Sequence, residues 1–167
     1  TPDMHSLQQL VAEELAVPAL PKVQDFAAHI AAQYPAAAHA VLFYGSCLRQ
    51  AGAAAGGDSA VFDFYLLVDR YRDIYQSRLA AITNAILPPN VFYIELPWQD
   101  RTVRAKYAVV TMARFRRGTS RRGFHPSLWA RFAQPARLVY ARDAATDAEV
   151  VAALQDAVVT MVERVVP

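Results

Sequence analysis

Cysteine is nearly absent from this chain: Cys47 stands alone among 167 residues, which excludes an internal disulfide and fits a reducing compartment. His5, His29, His39 and His125 share no metal-binding spacing, so a zinc site is not expected either. Long apolar runs are also missing. No stretch approaches the roughly 18 uninterrupted apolar residues of a membrane-crossing helix. The Ala-rich N-terminal half is interrupted by Glu13, Glu14, Pro18, Lys22 and Asp25, and neither a transmembrane span nor a signal peptide is visible. Neither sign of charge dominates, the net being only +2. The basic residues are nonetheless unevenly spread, since eight of the 17 fall between Arg101 and Arg122. Such a run is most often a solvated face, and less often an anion or membrane-surface site. What the chain does have is a 54% hydrophobic composition, enough for one domain with a real core or for one domain plus a small helical appendage.

The apolar spacing of "SLQQLVAEEL" predicts a first helix with Ser6 as its N-cap, ending before Pro18. A second runs through "VQDFAAHIAAQY", with Val23, Phe26, Ala27 and Ile30 on one face, and stops before Pro35. "HAVLFYG" and "AVFDFYLLV" read as buried strands joined by a short helix from Ser46 and an Ala/Gly link. "YRDIYQSRLAAITNAIL" predicts a helix ended by Pro88 and Pro89, and "NVFYIELPW" a third strand stopped by Pro97. "VRAKYAVVTMARFRR" fits helix or strand, "PSLWARFAQ" a short helix, "ARLVYA" a strand or extended link, and "TDAEVVAALQDAVVTMVERVV" a long helix. The whole predicts an α+β or α/β core followed by a mostly helical part, whose pattern is still running near the last residue.

The stretch "VLFYGSCLRQ" raises a chemical possibility. A strand that ends in Gly-Ser and turns into a helix presents unpaired backbone N–H groups and a hydroxyl where an anion is favoured. Gly45 has no Cβ to obstruct a phosphate, and Arg49 follows Ser46 by about one helical turn. Asp63 on the next strand could hold a divalent ion against the same polyphosphate. Asp69, six residues on, would lie roughly 20 Å away along an extended strand and cannot share that ion.

The order of strand, Gly-Ser, basic helix and Asp-bearing strand resembles the nucleotidyltransferase superfamily with a polymerase-β-like core. Tyr65 stands where that superfamily carries the second acid of Asp-x-Asp. A narrower resemblance extends over about residues 40–165. "FYGSCLRQAG", "FDFYLLVD", "NVFYIELPW", "RAKYAVVTM", "ARFAQPARLVY" and "LQDAVVTMV" are similar, in order and approximate spacing, to blocks of the mitochondrial-type soluble CDP-diacylglycerol synthases. These are phosphatidate cytidylyltransferases first named as translocator assembly and maintenance proteins, and they too lack the second acid. The resemblance implies a nucleotidyltransferase domain over 1–100 and a mostly helical, winged-helix-like domain over 101–167, shortened at its C-terminus. It implies an enzyme that transfers CMP from CTP to phosphatidic acid, with Mg²⁺ as cofactor and pyrophosphate as product. Gly45 and Ser46 would hold the triphosphate, Arg49 would add charge, Asp63 would ligate Mg²⁺, Lys106 would contact nucleotide phosphate, and Arg131 would line the cleft. Glu95 is a candidate third carboxylate, with a strand-end surface acid as the equal alternative. Cys47 replaces a common Gly and Gln134 a common Lys. The helix after Asp69 lacks the family's His and Asn residues. The expected setting is cytoplasm or mitochondrial matrix, with peripheral membrane contact.

Plainer readings stand beside these. Asp69 suits a turn or helix cap, Arg104 and Lys106 suit a solvated face, and "RFRRGTSRRG" suits a mobile solvated loop, although an enzyme of anionic lipid would use such a loop on headgroups. Trp98 and Trp129 read as packing residues. Nucleic acid is not an expected partner, because the basic residues are confined to one segment without interleaved aromatics. Two rival functions remain: a degenerate nucleotide-binding module, or a nucleotidyltransferase of another acceptor.

Overall fold

A computed structural model describes residues 4–49, 60–75 and 90–165. Helices α1 (Met4–Ala16) and α2 (Pro21–Gln33) precede strand β1 (Ala38–Tyr44), the short helix α3 (Ser46–Arg49) and strand β2 (Val61–Val68). A 3-10 turn over Tyr71–Asp73 follows. The rest of the predicted helix that "YRDIYQSRLAAITNAIL" suggests lies outside the described residues. Strands β3 (Asn90–Trp98) and β4 (Arg101–Thr111) form a hairpin, followed by α4 (Met112–Thr119), α5 (Pro126–Phe132), β5 (Arg137–Ala141) and α6 (Ala144–Val165). The architecture is α+β, a mixed five-stranded sheet in the order β3-β4-β2-β1-β5 with six helices among the described residues. Only β2 and β4 run parallel.

Strands β1 and β2 read as continuous apolar runs because both of their faces are covered. On one face Leu42, Tyr65, Leu67 and Val110 meet Leu15 of α1, Phe115 of α4, Phe132 of α5 and Val150 and Leu154 of α6. On the other, Val41, Phe43, Phe62, Phe64 and Val109 meet Val23, Phe26 and Ile30 of α2. The α2 face anticipated from its 3.6-residue spacing is the buried one.

Four expectations need correcting. Helix α1 already includes Met4, so Ser6 lies within it rather than capping it. Strand β3 runs through Pro97 to Trp98; it is an edge strand, where a missing N–H costs no ladder bond if it faces outward. The part expected to be mostly helical from Arg101 opens with β4, an eleven-residue strand in a segment that fits helix or strand, and "ARLVYA" gives strand β5, one of its two readings, so position 100 lies inside a hairpin of one continuous sheet. Arg114, Arg116 and Arg117 belong to helix α4, capped by the Thr111 hydroxyl, which accepts from the Arg114 N–H at 3.3 Å. No helix among the described residues is long and apolar enough to cross a membrane.

Candidate functional site

The sheet register builds the centre of the site. Tyr44 at the end of β1 pairs with Asp63 of β2, which pairs with Lys106 of β4, so three side chains stand in one row across three strands. Strand alternation turns this row toward the face that carries α5. Lys106 Nζ lies 3.1 Å from Asp63 Oδ1. That oxygen is buried and has no aligned hydrogen bond, despite the nearby ammonium.

At Gly45 the chain leaves β1 with φ +93, a conformation costly for any residue with a Cβ. A Cβ there would stand 2.8 Å from Asp63 Oδ2. Gly45 is therefore required twice, by its backbone and by the carboxylate packed against it. Ser46, exposed, opens α3, of which four residues, Ser46–Arg49, are described. The turn offers individual N–H groups and the Ser46 hydroxyl as hydrogen-bond donors. Cys47 is buried beneath, its Sγ donating to the Val61 carbonyl at 3.3 Å. Burial, with help from the nearby Asp63 charge, pushes its thiol up, so it is a packing group and not a nucleophile.

Helix α5 supplies the opposite wall. The Arg131 guanidinium donates to the Tyr65 hydroxyl at 2.7 Å and lies over the rings of Tyr44 and Tyr65, at 5.3 and 5.7 Å from their centroids. Tyr65, only 1% exposed, also packs on Tyr44 and Phe132. Burial pushes the phenols of Tyr44 and Tyr65 up, against the pull of Arg131, so both stay protonated and can only donate or accept neutrally.

Between these walls lies a cavity of about 530 Å³, lined by Tyr44, Gly45, Ser46 and Asp63 on one side and by Ser127, Arg131, Gln134 and Pro135 on the other. Four of the anticipated residues, Gly45, Ser46, Asp63 and Arg131, thus face one space. Lys106 reaches it through Asp63. The Arg49 side chain lies outside the described residues. Glu95 is not brought there: it pairs with Arg104 at 3.0 Å, two strands across and two residues along from Asp63, roughly 12 Å away. Sequence reasoning missed Tyr44 and Ser127, although Tyr44 immediately precedes the Gly-Ser pair.

The donor set can be tested against a divalent ion. Among the described residues no three His, Cys, Asp or Glu side chains converge. One carboxylate remains, Asp63, which lines the polar cavity while its Oδ1 is buried beside the Lys106 ammonium. That suits Mg²⁺, which commonly takes one or two carboxylates and completes its shell with phosphate oxygens and water. It does not suit a preformed ion cage.

The fold and site define an α+β protein with a polar cavity, lined by one carboxylate and one guanidinium, at the end of its central strands. No protein-family model matches the chain, and no curated protein matches it.

Proposed function

We propose that the protein is a Mg²⁺-dependent nucleotidyltransferase on a polymerase-β-like core, a phosphatidate cytidylyltransferase that transfers CMP from CTP to phosphatidic acid. The observation that carries the reading is the cavity shared by the Gly45–Ser46 turn, the Asp63 carboxylate and the Arg131 guanidinium. Ser46 and the N–H groups of the turn hold the triphosphate, and Arg131 and Lys106 lower the cost of its charge. Asp63 would hold the ion, whose contribution when bound is to neutralise charge on the reacting phosphates. A phosphate oxygen of the acceptor attacks the α-phosphorus in line, the bond to the bridging oxygen breaks, and pyrophosphate leaves. The nucleophile is already ionised near neutral pH, so no general base is needed.

A lipid acceptor is favoured by an apolar groove of about 200 Å³ lined by Leu10, Val11, Leu15, Phe132, Leu154 and Val158, which shares Gln134 and Pro135 with the polar cavity. An acceptor with a phosphate head and an apolar tail suits that junction. A second reading, nucleotide binding without turnover, is favoured by Tyr65, whose buried ring fills the second acid's position and whose hydroxyl is occupied by Arg131.

Pyrophosphate release from each NTP with Mg²⁺, with and without phosphatidic acid in mixed micelles, separates the two. Release with CTP that depends on the lipid is expected. Nucleotide binding with no release under any acceptor would leave only the second reading.

A further inference from the structure

The turn between α4 and α5 carries the most exposed large apolar side chain among the described residues, Phe124, at 86%. Its base is tightly held. Ser120 Oγ donates to the Arg117 carbonyl at 2.9 Å and accepts from the Arg122 N–H at 3.3 Å, while the Gly123 N–H donates to the Ser120 carbonyl at 2.9 Å. Gly123 packs so closely on Gly118 that a Cβ would fall 2.6 Å from its carbonyl oxygen. The phenyl ring is therefore held out in water by a fixed backbone.

No acidic residue occurs in the sequence from Met112 to His125. Arg116 and Arg121 are paired with Glu149 and Glu163, but among the described residues no carboxylate pairs with Arg117 or Arg122. Two and three residues beyond Phe124, Pro126 and Ser127 line the polar cavity. An exposed aromatic residue that follows a basic segment matches a bilayer interface, where the ring enters the headgroup boundary and the cations meet phosphates. A protein partner would be expected to meet a broader apolar patch, with several anchors.

We infer that the 120–125 turn is a lipid-contact element: Phe124 enters an anionic membrane surface while Arg117 and Arg122 bind its headgroups, bringing the cavity mouth to the bilayer. It deepens the cytidylyltransferase reading and takes its purpose from it, but vesicle binding is measured without catalysis.

The test is co-sedimentation with phosphatidylcholine vesicles, with and without phosphatidylserine, an anionic lipid that is not the acceptor. The wild-type protein is expected to bind the anionic vesicles and to be released by salt. Arg117→Gln with Arg122→Gln should weaken binding about thirtyfold, about fivefold for each charge. Phe124→Ser should weaken it about tenfold, with near-UV circular dichroism unchanged. No binding by the wild-type protein, or equal binding by these variants, overturns the inference. Wild-type self-association lost in Phe124→Ser, without vesicle binding, overturns it in favour of a protein contact. If CTP turnover is absent but vesicle binding behaves as expected, the reaction falls and the lipid surface stands.

Discussion

Strand β2 has an acid at its start and another just past its end, and each meets a basic side chain. Asp63 faces Lys106 at 3.1 Å, and Asp69 faces His39 at 2.9 Å. The pairs differ in what surrounds them. The Asp63 side chain is 16% exposed, set between a positive-φ glycine and a 530 Å³ cavity that Arg131 also faces. The Asp69 side chain is 57% exposed, and its partner His39 is buried at the start of β1. The close approach of His39, the largest cause, holds the Asp69 carboxyl below its ordinary range, with Arg142 and Arg70 adding to the effect. An acid-base pair is thus no mark of chemistry by itself. The difference is the adjoining cavity.

Neutralising one acid and then the other sharpens this contrast. Asp63→Asn should cut CMP transfer by about a thousandfold or more while leaving the melting temperature nearly unchanged. Pyrophosphate release together with circular dichroism checks both halves, and retained turnover in the folded variant would sink the metal assignment. An attempt to give the Asp63 end its missing second acid should fail. Tyr65→Asp removes the ring that packs on Tyr44 and Phe132 and buries a carboxylate, costing about 3–5 kcal/mol in urea denaturation. A stable, more active Tyr65→Asp protein would contradict the packing role given to that ring. Gly45→Ala should cost about 1–3 kcal/mol from backbone strain. Its loss of turnover should exceed what unfolding explains, because the new Cβ presses on Asp63 Oδ2.

The smallest change belongs to the other end. Asp69→Asn should cost about 0.5 kcal/mol, as exposed pairs do, and leave CMP transfer intact. The Asp69 pKa is lowered on folding, so its stabilisation is fully present above the ordinary carboxylate pKa of about 3.9 and is lost as pH falls through the lower native value. Thermal melts of the wild type and this variant should therefore converge in acid. A gap that widens in acid would reverse the assigned sign.

Much of the frame was legible in the sequence because each run had one period or one pair of stops. Helix α2 followed its 3.6-residue face, and β1 and β2 followed their apolar runs bounded by Gly and Asp. Strand β4 was ambiguous because Ala105 to Val110 bury both faces, apart from Lys106, and so erase the alternation that marks a strand. For the cavity, Gly45, Ser46 and Asp63 were findable from the Gly-Ser turn and the following acid. The pairing of Lys106 with Asp63 depends on a register between strands far apart in the chain, which no local pattern encodes. The same limit hid the Arg131–Tyr65 bond and the His39–Asp69 contact. It also made Glu95 plausible, since its position on β3 was read but its distance from Asp63 was not.

The parallel pairing of β2 with β4 has a consequence for how the protein comes into being. Parallel neighbours cannot be joined by a tight hairpin, and here β3 is made before β4 can dock beside β2. During synthesis, a chain that has released Gly45, Ser46 and Asp63 has no Lys106 to set against the acid and no α5 to close the cavity. Such non-local contacts form late in folding. Under the proposed function, nucleotide capture by a ribosome-bound chain should therefore begin only after α5 has left the exit tunnel.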